Sequence, residues 1–226
     1  MRADRSAAGN TRSAHPSARR PRGAVRDGLI AAGLELARTG GPDAVVLREA
    51  TRIVGVVPNA AYRHFADRDE LLAAVCLAAM DELGARMAAE VAQVSGVHGD
   101  PDAAFGRLAA LGMAYLTFAR EEPGLFATAF SVPEQHPYLP PDRASDDGST
   151  PLDQLRDVLD ELVDAGLLDP GRRAGIEVPV WSTVHGLAVL TGQGPLRAAP
   201  EEDLRVLTDR VLGFIGESLL AQGGSA

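Results

Sequence analysis

A chain of 226 residues holds one large domain, or a small domain joined to a medium one, and its 46% apolar content is an ordinary supply for a globular core. Aromatic residues are only 4%, while alanine, leucine and valine abound, so packed helices are expected rather than a sandwich or barrel. A net charge of −9 argues globally against a nucleic-acid partner, but residues 1–70 hold 12 arginines against 8 acids and the remainder 10 against 23, the pattern of a basic reader on an acidic body.

Residues 1–22 are rich in Arg, Ser, Ala and Pro and predict a disordered basic arm, either a solvated tail or an arm adding phosphate or minor-groove contacts. Val25, Leu29, Ala32 and Leu36 then recur at helical spacing, and Gly40-Gly41-Pro42 ends that helix. Two short helical patterns follow, Leu47 to Val54 and Pro58 to Phe65, joined across Gly55, which supplies the permissive backbone of a tight turn. Ala50, Ile53 and Val54 are placed inward from the first, Ala61 and Phe65 from the second. Arg48, Arg52, Asn59, Arg63 and His64 are left to face outward. The pattern predicts a helix-turn-helix whose second element enters a DNA major groove. Asp67 with Glu70 has capping-box spacing and opens a long helix that runs to about Val94.

Further helices are expected at about 101–121, 123–131, 151–166, 172–193 and 201–221, and 132–149, with four prolines and Asp146-Asp147-Gly148, reads as a long loop. Phe105, Leu108, Tyr115, Phe118, Phe126 and Phe130 gather most of the aromatics, either as plain core or as the lining of an apolar ligand pocket. Trp181 and His185 are four apart and share a helix face. No arginine falls on the inferred inner faces of this region. Leu204, Leu207, Val211, Ile215 and Leu219 form a stripe that is either core or, with the preceding helix, a four-helix dimer seam.

The segment Ala61-Tyr62-Arg63-His64-Phe65, followed by Ala66-Asp67-Arg68-Asp69-Glu70-Leu71-Leu72, resembles the DNA-binding domain of the tetracycline-repressor (TetR) family over roughly Val25 to Val75. The resemblance implies an all-α fold: a helix-turn-helix DNA-binding domain at 23–70 and a helical ligand-binding and dimerisation domain at 71–226. It also implies base contacts from Arg48 and from the helix opening Pro58, Asn59 and Ala60. Arginine pairs with guanine, asparagine with adenine, and alanine meets only a thymine methyl. Arg63 belongs to the same outward set, and Tyr62, His64 and Arg68 match the family's phosphate contacts. Trp181 with His185-Gly186 is similar to the Trp…His-Gly pattern of one subgroup of the family's ligand domains, where it lies near the dimer interface and ligand cavity. Phe105, Tyr115, Phe118, Phe126, Trp181 and His185 are therefore the candidate ligand contacts, and the effector is expected to be small and largely apolar.

Three positions depart from the family pattern. Val46 and Val57 stand where a hydroxyl or other small polar residue usually caps each helix, and Thr51 where the usual small residue sits. A missing cap costs roughly 0.5–2 kcal/mol. The expected function is ligand-responsive transcriptional control, a homodimeric repressor released from a palindromic double-stranded operator by a small molecule. The alternative is a helical small-molecule-binding protein of the same fold that has lost operator binding. No nucleophile elbow, phosphate loop, dinucleotide fingerprint or His-Glu-x-x-His is present, so neither enzymatic activity nor a cofactor is expected. One cysteine and five scattered histidines suggest no metal site. The first residues lack the apolar core of a signal peptide and no apolar run approaches the roughly 20 residues that span a bilayer, so a soluble, cytoplasmic protein without membrane contact is expected.

Overall fold

The computed structural model describes residues 22–131 and 150–220, so the expected arm at 1–22 (all but its last residue) and the expected loop at 132–149 lie outside the described residues. Among these there are helices and short 3-10 turns and no strands. The helices are α1 (Arg22–Gly40), α2 (Leu47–Val54), α3 (Pro58–Ala61), α4 (Arg68–Val91), α5 (Pro101–Glu121), α6 (Pro123–Ala129), α7 (Pro151–Asp164), α8 (Glu177–Gly192) and α9 (Glu201–Leu220). None is long and apolar enough to cross a membrane.

The amino-terminal helices close around Leu29, Val45, Ala50, Ala61 and Phe65, all essentially buried. On α2 the buried positions are Leu47, Ala50 and Thr51, with Val54 half-buried, a single stripe at i, i+3, i+4 and i+7. Ile53 falls off that stripe and is 41% exposed, contrary to its expected inward place. Thr51 takes the inner position, and its hydroxyl donates to the Arg48 carbonyl at 2.7 Å, so the polar atom is satisfied. Gly55 ends α2 at φ 73°, ψ 33°, with its own N–H and that of Val56 both reaching the Thr51 carbonyl.

Asp67 caps α4 by accepting from the Glu70 N–H at 2.9 Å, while the Glu70 carboxylate accepts from Ala66, one residue before the box's usual donor. Helix α4 packs against α1 on one side and α5, α6 and α7 on the other, so one rigid element joins reader to body. A second joint lies at α6. A Cβ on Gly124 would stand 2.2 Å from the Ala37 carbonyl oxygen and 2.6 Å from that of Arg38, so only glycine lets α6 sit on the end of α1. Arg38 spans the same junction, pairing with Glu82 of α4 at 2.6 Å and Glu122 at 3.0 Å.

In the body, α5, α7, α8 and α9 surround an apolar interior. The expectation that no arginine lies on the inner faces meets an exception in Arg107 of α5, largely buried. It pairs with buried Glu161 of α7 and donates to the Gly96 carbonyl at 2.6 Å. Helix α8 begins at Glu177 rather than near 172, because Pro170–Arg172 forms a separate 3-10 turn and Gly175 breaks the chain at φ 74°.

Candidate nucleic-acid interface and ligand cavity

The outward side of the helix-turn-helix carries Arg48 on α2, Pro58 and Asn59 on α3, and Arg63 beyond it, all exposed. Arg48, Asn59 and Arg63 have no ion pair or side-chain hydrogen bond among the described residues, whereas Arg52 is held by Glu49 at 2.8 Å. Ala60 is half-buried. The α-helical part of α3 stops at Ala61, so Tyr62, Arg63 and His64 occupy a turn rather than the continued helix their spacing suggested. Mixed bonding closes that turn: His64 and Phe65 both donate to the Ala61 carbonyl. Tyr62 is 59% exposed, which excludes core packing as its role, and His64 is half-buried. Val46 and Val57 cap α2 and α3 without any side-chain bond, as their chemistry requires.

Arg68 makes bonds within the reader that its spacing did not announce. Its Nε donates to the Val45 carbonyl at 3.0 Å and its Nη2 to the Pro42 carbonyl at 2.7 Å. The guanidinium thus ties the start of α4 to the connection between α1 and α2, and only its Nη1 edge is left for other partners apart from a 3.4 Å contact with Asp69. The side chain therefore has a structural role within the reader, and its 40% exposure leaves part of it open to solvent.

The candidate ligand contacts divide into three groups. Phe105, Tyr115 and Trp181 line a narrow apolar cavity of about 50 Å³, enclosed with them by Leu108, Leu155 and Val184, with Met87 of α4 and Leu212 and Ile215 of α9 completing its wall. Phe126 and His185 stand behind Tyr115. The Phe126 ring meets the Tyr115 ring edge-on at 5.4 Å, and the Tyr115 hydroxyl lies 2.7 Å from His185 Nδ1 while accepting from Trp181 Nε1 at 3.2 Å. Phe118 is outside this set. It is buried one turn beyond the last lining residue of α5 and belongs to the core. The cavity is therefore an apolar slot whose polar-edged wall is Tyr115 and Trp181, with His185 behind the Tyr115 hydroxyl.

Sequence reasoning missed the aliphatic part of the wall, because Leu155, Val184, Leu212 and Ile215 look like any other core position. On α9, Leu204, Ile215 and Leu219 are buried within the chain and Leu207 and Val211 half-buried, so the stripe packs against the chain's own core. The surface beside it is apolar too: Val206 and Phe214 on α9, Val178, Val189 and Leu190 on α8, with Phe214 61% exposed.

A helix-turn-helix with an exposed polar and basic face, carried on a helical body with an apolar cavity, defines a one-component regulator: reader and sensor in one chain. Residues 29–75 match the model described as bacterial regulatory proteins of the tetR family, and residues 108–215 the tetracyclin repressor-like C-terminal domain. The chain belongs to the tetracycline-repressor family and is a ligand-responsive, DNA-binding transcriptional regulator. A protein of unknown function from Rhodococcus sp. RHA1 is 26% identical, with 92% of this chain and 100% of that one covered and a TM-score of 0.68. A tetR family regulator from Shewanella sp. PV-4 (15% identical, 88% and 99% covered) and RolR in complex with resorcinol (16% identical, 91% and 97% covered) each share the fold at a TM-score of 0.60. No curated protein matches the chain.

Proposed function

We propose that the chain acts as a cytoplasmic, homodimeric repressor. It holds a palindromic operator through two copies of the helix-turn-helix and releases it when a small, largely apolar molecule enters the cavity. The observation that carries the operator half is the outward set Arg48, Asn59 and Arg63, exposed and without a side-chain partner among the described residues, on a reader whose inner face is packed. Arg48 and Asn59 suit guanine and adenine edges, and Ala60 a thymine methyl. Tyr62 and His64 suit phosphate oxygens. Pro58, which lacks an N–H to leave unpaired, opens the helix between them.

The effector is argued from the cavity's chemistry. Its wall is aliphatic and aromatic, and Arg107, a nearby cation on α5, is already spent on Glu161 and Gly96. A multiply charged molecule would be buried without partners, at a cost of several kcal/mol. A neutral molecule with one polar group reaching the Tyr115 corner fits. Opening the slot displaces Met87 of α4 directly and Phe126 of α6 through Tyr115, and both helices bear on α1. Release then requires that the effector bind the non-DNA state more tightly than the DNA-bound one. Two copies pair through the exposed faces of α8 and α9. Catalysis has no part in this reading: the polar groups in the cavity serve recognition.

The test is fluorescence anisotropy with the full chain and duplexes recovered from a random pool. A dimer that neutralises about 6–10 phosphates loses roughly 10³–10⁵ in affinity between 50 and 200 mM salt. Titrating neutral aromatic molecules into the complex, resorcinol first, should then release the duplex for at least one of them. Failure to enrich any duplex, with ligand binding retained, would favour the alternative of a binding protein that has lost its operator, for which the uncapped Val46 and Val57 are the motive.

A further inference from the structure

Val57 is the residue that neither the fold nor the reading above employs. It precedes α3 in extended backbone (φ −71°, ψ 145°) and makes no capping bond. Its side chain is 69% exposed, more than that of any other large apolar residue of the helix-turn-helix. A branched aliphatic group gains about 1.5–3 kcal/mol when it is fully buried, and here the fold leaves most of that gain untaken. A valine offers no donor or acceptor, so the position cannot grip a phosphate as a hydroxyl would.

What the side chain faces follows from its place in the motif. The leading residues of the second helix are those brought to the base edges in the major groove. Arg48, Asn59 and Arg63, all exposed on the same helix-turn-helix, supply cationic and hydrogen-bonding groups suited to a duplex. Along the floor of that groove nearly everything is a donor or acceptor, and the apolar feature is the C5-methyl group of a pyrimidine. Ala60, half-buried in the first turn, donates its N–H to the Val57 carbonyl at 2.9 Å and adds a second apolar side chain close to it. Building on the operator-binding reading, we infer that Val57 reads the C5-methyl of a thymine in each half-site. Val57, where the family pattern carries a polar cap, then marks an altered specificity, with phosphate grip exchanged for methyl recognition at α3.

The test uses the operator recovered with the full chain from random duplexes. Each thymine is replaced in turn by uracil, which removes only the methyl. At one position per half-site, distinct from any thymine that Ala60 meets and identified by its dependence on residue 57, uracil should weaken wild-type binding about fourfold, and about 16-fold when both half-sites are changed, the scale of one methyl group's burial. 5-Methylcytosine paired with guanine at that position should bind better than cytosine by a similar factor. Val57→Ser should bind thymine and uracil duplexes alike at that position, and because serine restores a cap its insensitivity cannot come from a damaged helix; Val57→Ala, which keeps one methyl, should show a smaller penalty than wild type. Equal binding of thymine and uracil at every position by the wild type overturns the inference while leaving operator binding intact. So does an unchanged uracil penalty in both variants. If no duplex is enriched at all, the operator reading itself fails, and this inference with it.

Discussion

Replacing Arg68 with alanine separates a residue that builds the reader from one that touches DNA. Two charge-assisted hydrogen bonds, at 3.0 Å to Val45 and 2.7 Å to Pro42, would be lost. Such bonds contribute about 1.5–3 kcal/mol each. The side chain is 40% exposed, so water replaces much of what is removed, and a total near 2 kcal/mol is the better expectation. For a chain of this size that lowers the melting temperature by about 4–8 °C. Arg68→Lys should recover only part of the loss, because one ammonium cannot reproduce a planar fork that spans two carbonyls. On DNA the decisive quantity is the salt slope. A direct phosphate contact contributes about 0.9 to the slope of log affinity against log salt, or nearly 2 per dimer. Arg68→Ala should weaken binding to all sequences with the slope within about 0.5 of wild type, short of the nearly 2 that losing a phosphate contact from each half-site would give. Anisotropy titrations at four salt concentrations, beside thermal unfolding followed by circular dichroism, give both numbers. A slope reduced by about 2 with an unchanged melting temperature would show that Arg68 is a phosphate contact after all.

Gly55→Ala should cost about 1–2 kcal/mol through the left-handed backbone alone, because a Cβ there meets nothing within 4 Å. Urea unfolding should show that loss, and an unchanged midpoint would mean that the turn relaxes without strain. Phe214→Glu should weaken the dimer at least about a hundredfold, by removing an apolar anchor from each copy and adding a charge to the seam. Sedimentation at micromolar concentration would read it, and an unaltered dimer would move the interface away from the outer face of α9.

The parts of the fold that were legible in the sequence are those governed by local chemistry. Gly55 stops α2, Asp67 caps α4, and Pro101, Pro123 and Pro151 each open a helix, because each of these residues acts on backbone within a turn of itself. Spacing fixed the inner face of the reader through Ala50, Ala61 and Phe65, and it misplaced Ile53 because hydrophobicity alone outvoted angular position. The length of α3 was not legible. Ala61 and Phe65 stay on the inner side whether the residues between them are helical or merely turned, so the pattern is the same for both.

The candidate sites divide along the same line. Outward positions on the reader were readable because polar side chains on an otherwise packed motif stand out. The cavity wall was not, since a leucine lining a slot and a leucine filling a core are identical until α5, α7, α8 and α9 are assembled. Arg68 shows a harder limit. Its partners lie 23 and 26 residues upstream, in a connection without periodicity, and a basic residue in the first turn of a helix carries no mark of such bonds. Thr51 and Val57 show the converse, for both are departures from a family pattern and only their surroundings tell them apart. Thr51 is buried with its hydroxyl bonded to the chain, so that change is absorbed within the fold. Val57 is 69% exposed among the described residues and its side chain makes no capping bond, which leaves it facing outward, where the reader would meet DNA.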